Sequence, residues 1–163
     1  MTLAPTTRSA IKQLALTTKT AFSTVALLAS ALVFSLASGT ALANQAVEIK
    51  VYSDPNCGCC AEWVKYMRQE GFVVQSIKTP DVAQYKQQYG VPPKLASCHT
   101  AVVQGTGQVI EGHVPATAVR KMLLDPSVKG VSAPGMPMNS PGMGQMDGNL
   151  VTVDFEGRAF SRD

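Results

Sequence analysis

The sequence is low in charge and lacks the patterns of several common protein classes. Only 15% of its 163 residues are charged, and it has two histidines and one tryptophan. There is no basic stripe and no interleaving of basic with aromatic residues, so we expect no nucleic-acid partner. Neither G-x-x-x-x-G-K nor G-x-G-x-x-G occurs, which excludes the usual phosphate-binding loops. No Ser/His/Asp set and no pair of carboxylates indicates catalysis.

Long apolar runs are also scarce. The sequence has one near its N-terminus and no second one after it. Three basic residues precede the apolar run 21–37. Ala41 and Ala43 follow the run at the small-residue positions of a signal-peptidase site. This pattern predicts a secretory signal peptide, residues 1–43, that is cleaved after Ala43. An uncleaved membrane anchor is the alternative, but the run is short for a bilayer span and is interrupted by serines.

Cleavage would remove the three basic residues Arg8, Lys12 and Lys19 from the 14 of the whole chain, leaving 11 against 11 acidic residues. The remaining segment, residues 44–163, would then carry a net charge near zero. A chain of about 120 residues suits one domain with its own core. We expect it in the periplasm, with no membrane association after cleavage.

Hydrophobic periodicity and turn residues predict an α/β fold with the order β-α-β-α-β-β-α. This order, with cysteines between the first strand and first helix, is thioredoxin-like. Residues 130–146 form a Met/Gly/Pro-rich loop that we expect to be neither helix nor strand, and residues 149–160 add a C-terminal strand or hairpin. The predicted strands are 47–53, 72–79, 100–103 and 108–111, and the predicted helices are 59–70, 81–89 and 115–124.

The cysteines are the most informative feature of the chain. Three of the four lie in the stretch SDPNCGCCAEW, where Cys57 and Cys60 have the C-x-x-C spacing and Cys59 lies between them. The fourth, Cys98, is followed by His99 at the start of a predicted strand. In a thioredoxin-like fold that strand begins beside the cysteine loop, so we expect Cys98 and His99 to lie close to the other three cysteines.

Three chemistries fit such a cluster. Thiol–disulfide exchange would use Cys57 and Cys60, since a helix N-terminus stabilises a thiolate. A structural staple would pair Cys57 with Cys60 and Cys59 with Cys98, as is common in exported domains. Binding of a soft metal would use all four sulfurs. The adjacent side chains of Cys59 and Cys60 are hard to direct at one tetrahedral ion, which favours Cu(I) over a closed zinc site.

Other soft or borderline donors support the metal interpretation. Met136, Met138 and Met143 lie in the Gly/Pro-rich loop, and thioether ligands select Cu(I). They could equally cover an apolar patch. His99 and His113 are further candidate ligands or groups that orient ligands.

The sequence resembles a known family in four motifs: YSDPNCGCCAEW, GVPPKLASCHTAVV, EGHVPATAV and PGMPMNSPGM. The family consists of small exported bacterial proteins, long described as a domain of unknown function, whose best-known members are the CopG-type periplasmic copper proteins. The resemblance implies a thioredoxin-like fold that binds copper as a multinuclear cluster, with Cys57, Cys59, Cys60 and Cys98 as ligands. The family's GSPGME motif reads NSPGMGQ here, so Gly144 replaces its acidic residue.

We therefore expect a periplasmic Cu(I)-binding protein that sequesters or transfers copper and contributes to copper resistance. Its expected partners are metal ions and periplasmic copper exporters or chaperones. The alternative is an enzyme, a thiol–disulfide oxidoreductase that uses Cys57 and Cys60.

Overall fold

The computed structural model describes residues 46–163, so the predicted signal peptide lies outside the described residues. Within this range the chain forms seven strands and three α-helices, and a 3₁₀ turn at Pro93–Leu95 precedes the third strand. In chain order they are β1 (Glu48–Ser53), α1 (Gly58–Gln69), β2 (Val73–Lys78), α2 (Val82–Gln88), β3 (His99–Val103), β4 (Val109–Glu111), α3 (Ala116–Leu123), β5 (Gly130–Ser132), β6 (Val151–Asp154) and β7 (Ala159–Arg162).

The strands form one mixed sheet in the order β2-β1-β3-β4-β5-β6-β7. β1 runs parallel to β2 and antiparallel to β3, which in turn pairs antiparallel with β4. The predicted α/β class and the β-α-β-α-β-β-α order are confirmed from β1 to α3. No helix among residues 46–163 is long and apolar enough to cross a membrane.

The apolar face of α1 anchors the cysteine loop to the core. Cys60, Trp63, Val64 and Met67 are buried, as their i, i+3, i+4, i+7 spacing predicts. They pack against the strand residues of the sheet, with Ile49 fully buried among them. Burying a side chain of this size stabilises the fold by about 1.5–3 kcal/mol, so the first turn of α1 is held firmly in place.

Two local predictions were wrong. Residues 130–146 are not entirely irregular, because Gly130–Ser132 forms β5, parallel to β4, with the β-branched Val131 fully buried. The first helix was predicted to begin at residue 59, whereas it begins at Gly58, and Cys57 caps it, its Sγ accepting a hydrogen bond from the Cys60 N–H at 3.3 Å.

The predicted C-terminal addition is a hairpin at the edge of the sheet. β6 and β7 pair antiparallel, and the turn between them contains Gly157 at φ +82°. Among the interior strands of the sheet, Ser53 on β1 pairs with His99 on β3. This register places the start of β3 beside the loop that leads from β1 into α1.

Candidate metal centre

The four cysteines form one cluster at the N-terminus of α1. Four Sγ atoms all lie within 4.8 Å of one another, those of Cys57, Cys59, Cys60 and Cys98. The strand order predicts this approach of Cys98, and the pairing of Ser53 with His99 produces it. Cys60 is buried whereas the other three are partly exposed, so the cluster has an inner wall and a solvent-facing side.

Two of the cysteines are oxidised in this structure. Cys57 and Cys60 form a disulfide with their Cα atoms 5.3 Å apart, and Cys59 and Cys98 are free thiols. Cys59 Sγ lies 3.5 Å from Cys57 Sγ. The structure therefore contains the first of the two disulfides that a staple would use and lacks the second.

Cys59 and Cys60, whose adjacent side chains were expected to be hard to direct at one tetrahedral ion, place their sulfurs within 4.8 Å of each other. Both sulfurs belong to the same cluster although the residues are adjacent. Cys60 points inward from the buried face of α1, and Cys59 lies beside Cys57, the residue that caps the helix. Any preference for copper over zinc therefore depends on the softness of the donors rather than on diverging side chains.

A second group of donors shares Cys98 with the first. Cys60, Cys98, His99 and His113 also place one ligand atom each within 4.8 Å of one another. His113 Nε2 lies 2.9 Å from Cys98 Sγ, and His113 Nδ1 lies 2.6 Å from the carbonyl oxygen of Pro141. Because a carbonyl only accepts, Nδ1 carries the proton and Nε2 presents a lone pair to Cys98. This arrangement is typical of oriented histidine ligands.

His99 forms the inner wall of the site. It is fully buried, and its ring lies 4.5 Å from the Trp63 ring between centroids. Its Nδ1 is 3.6 Å from Cys98 Sγ, and its Nε2 has no hydrogen-bond partner among the described residues. Trp63 is fully buried and lines the site, and its Nε1–H donates to the Val114 carbonyl at 2.9 Å. A buried, unsatisfied imidazole nitrogen fits a site that takes a ligand.

Burial sets the charge state of these groups. It raises the pKa of the Cys98 thiol to about 11, and the neighbouring Cys59 adds to this effect. Burial lowers the pKa of His99 well below its ordinary value, as do His113 and Lys86. Burial also lowers the pKa of His113, although the Pro141 carbonyl opposes this. The metal-free site therefore holds neutral imidazoles and a protonated Cys98.

The Met-rich loop covers the first turn of α1. Gly142 adopts φ +82°, and a Cβ there would come 2.7 Å from Trp63 N and 3.0 Å from the Cys59 carbonyl oxygen. Of the candidate methionines, Met136 and Met138 are 58% and 67% exposed, and Met143 is half-buried. The loop thus contributes the Pro141 carbonyl to the site, and ligation by the methionines stays a prediction.

One charged residue beside the site was missed. Glu111, at the end of β4, is fully buried and binds Lys86, with Nζ 2.5 Å from Oε1. Burial raises its pKa, and Lys86 partly opposes the shift. A signal was available in the sequence, since Glu111 is the single acidic residue in the apolar stretch VIEGHV and stands two residues before His113.

Fold and site together define a small α/β protein with a cysteine-rich cluster of metal-binding type. A family model described as "Protein of unknown function, DUF411" matches residues 95–143. Two solved structures, "Copper resistance protein copG" in Form 1 and Form 2, are each 35% identical to this chain with a TM-score of 0.64. The matches cover 73% of this chain and 98% and 99% of those chains. No curated protein matches. The chain belongs to the CopG copper-resistance family.

Proposed function

We propose that this protein binds Cu(I) through Cys57, Cys59, Cys60 and Cys98 once the disulfide is reduced, and that it sequesters copper or passes it on. The observation that carries the proposal is the position of Cys98. Cys98 directly precedes β3 and is 38 residues after Cys60. Its sulfur nevertheless lies within 4.8 Å of the three sulfurs at the N-terminus of α1. A simple C-x-x-C redox site has no need of that fourth sulfur.

The donor set supports copper in particular. Four thiolates with neutral imidazoles behind them are soft ligands of the kind that Cu(I) prefers. Several sulfurs on one short loop can bridge neighbouring ions, so the site suits a multinuclear cluster of Cu(I). His99 is buried beside the cluster, with Nδ1 3.6 Å from Cys98 Sγ and Nε2 without a partner within residues 46–163. The solved relatives are named as copper resistance proteins, which agrees with this choice.

The proposal extends to the cellular setting. The signal-peptide pattern at residues 1–43 supports export to the periplasm. Copper exporters or chaperones there would be the donors or acceptors of the metal. Mass spectrometry of the protein from a periplasmic extract should give a chain that begins at Asn44, and a chain that retains residues 1–43 would contradict export by cleavage.

Copper stoichiometry tests the proposal. The reduced protein, residues 44–163, is titrated with Cu(I) under anaerobic conditions, and bound copper and free thiols are counted. We expect more than one tightly bound Cu(I) per chain in the wild type and loss of that copper in Cys98→Ser, with the fold of the variant checked by circular dichroism. Equal copper in Cys98→Ser and the wild type would remove the basis of the proposal.

One observation favours a second function, a thiol–disulfide oxidoreductase. The Cys57–Cys60 disulfide lies at the N-terminus of α1, where the helix dipole stabilises a leaving thiolate. In insulin reduction, a dithiol reductant such as dithiothreitol would reduce this disulfide to two thiols and become a disulfide itself. The Cys57 and Cys60 thiols would then reduce an insulin disulfide and return to the Cys57–Cys60 disulfide. Catalysis of insulin reduction by a protein that retains no copper would favour this function over metal binding.

A further inference from the structure

The carboxylate of Glu111 is buried close to the cysteine cluster, which is an unusual position for a charged side chain. It is fully buried, and both of its oxygens are occupied. Oε1 accepts from the Ser97 backbone N–H at 2.6 Å and from Lys86 Nζ at 2.5 Å, and Oε2 accepts from the Thr100 hydroxyl at 2.7 Å. With its oxygens engaged in this way, Glu111 is not placed to act as a metal ligand.

The two chain segments that Glu111 holds lie on either side of Cys98 and His99. Ser97 comes immediately before this pair and Thr100 immediately after it. Thr100 pairs with Glu111 across the β3–β4 ladder, so the two side chains share one face of the sheet. His99 points to the opposite face, where it contacts Trp63. Glu111 therefore fixes the backbone of the pair from the side of the sheet away from the cluster.

The two residues after Glu111 hold the same segment. The Gly112 N–H donates to the His99 carbonyl at 2.9 Å. Gly112 has φ +73°, and a Cβ there would overlap the Ser97 side chain and come 2.9 Å from the Ala133 carbonyl oxygen. His113 Nε2 reaches the Cys98 sulfur at 2.9 Å. Glu111-Gly112-His113 thus contacts every residue of Ser97-Cys98-His99-Thr100.

We propose that Glu111, neutralised by Lys86, is a positioning residue that holds Cys98 and His99 in the geometry needed for metal binding. A buried carboxylate is costly, and a buried ion pair is often no better for stability than two apolar side chains of similar size. Holding the start of β3 in position gives the Glu111–Lys86 pair a role beyond stability. Groups that orient metal ligands in this way typically change metal affinity by about 10–100-fold when they are removed. The inference rests on the proposed copper function for its affinity readout.

A matched pair of double variants tests the inference. Glu111→Leu with Lys86→Met removes the ion pair and the acceptor of the Ser97 backbone N–H. Glu111→Gln with Lys86→Met removes the ion pair but keeps a carbonyl acceptor for that N–H. Neither leaves an unpaired buried charge. In competition with a chromogenic Cu(I) chelator, we expect the Leu variant to bind at least about tenfold more weakly than wild type, and the Gln variant to regain affinity to within about threefold. Equal affinity of the Leu variant and the wild type would overturn the inference.

A metal-free measurement separates failure of this inference from failure of the copper function. In the Cys59→Ser background with the Cys57–Cys60 disulfide intact, Cys98 is the one free thiol of the chain. Its alkylation should be about tenfold faster in the Leu variant and close to the parent rate in the Gln variant, since loss of the Ser97 contact frees the segment. A wild type that binds no Cu(I) refutes the copper function, and equal alkylation rates in all three proteins refute the positioning role.

If the Leu variant does not fold, Thr100→Val decides the question. It removes the hydrogen bond to Oε2 and the one that the Thr100 hydroxyl accepts from Lys86 Nζ at 3.1 Å, and it keeps the shape of the side chain. We expect at least about threefold weaker Cu(I) binding and faster alkylation of Cys98. No change in either quantity would overturn the inference.

Discussion

Cys98 is the residue on which the site depends, because it belongs to both groups of donors. It faces the sulfurs of α1 on one side and His113 on the other. Its raised pKa, about 11, means that the thiol is protonated near neutral pH. A metal ion that binds its thiolate must therefore displace a proton.

This proton displacement predicts a pH dependence of Cu(I) affinity. Below the Cys98 pKa of about 11, each displaced proton makes the apparent affinity rise by up to about tenfold per pH unit as the pH increases. The pKa values of His99 and His113 are lowered from 6.5, so both are neutral above that pH and add no further slope. Chelator competition between about pH 7 and pH 9 measures the slope. A flat profile in the wild type would mean that Cys98 is not a ligand.

Sequence reasoning at the residue scale found the cysteines that form the cluster and missed the residues that hold Cys98, His99 and His113 in position. C-x-C-C and Cys98-His99 could be brought together from strand order alone. The contact from the Pro141 carbonyl to His113 depends on how a loop folds back, and no periodicity predicts that. The contacts of Glu111 depend on the β3–β4 register, which a hairpin prediction does not fix to the residue.

At the scale of elements, the Met-rich loop and α1 act as one unit. The loop approaches α1 so closely at Gly142 that no side chain fits, and its Pro141 carbonyl holds the tautomer of His113. A change that lifts the loop from α1 should therefore alter the metal site without touching a ligand.

Gly142→Ala tests this coupling, with Gly148→Ala as the control. Both glycines lie between β5 and β6 at positive φ, +82° and +75°, so both alanines cost about 1–2 kcal/mol of backbone strain. Only at Gly142 does the added Cβ meet other atoms, those of Cys59 and Trp63, whereas nothing lies within 4 Å at Gly148. We expect a larger loss of free energy of unfolding and weaker Cu(I) binding in Gly142→Ala than in Gly148→Ala. Denaturant unfolding and chelator competition measure the two effects, and identical values for both variants would contradict the coupling.

The elements themselves were predicted to within one or two residues from β1 to α3, because each has a clear period and ends at glycine, proline or a cap. β5 was missed for a physical reason. It is three residues long, lies next to a Gly/Pro-rich loop and contains one buried branched side chain, Val131. Its strand conformation comes from pairing with β4 and β6, which is a tertiary effect that local sequence does not encode.

At the scale of the whole molecule, a single sheet brings distant segments to one end. The loop before α1, the start of β3, the end of β4 and the Met-rich loop all converge there, and β7 of the β6–β7 hairpin forms one edge of the sheet. The charge of residues 44–163 is balanced, so attraction of a cation to the site depends on its local donors rather than on the overall field.

X-ray absorption at the copper K-edge of the reduced, Cu(I)-loaded protein tests the central claim most directly. The account predicts that sulfur dominates the shell of atoms bound to copper, and that Cys98→Ser lowers its sulfur content. A wild-type shell of nitrogen and oxygen, or one that Cys98→Ser leaves unchanged, would contradict it.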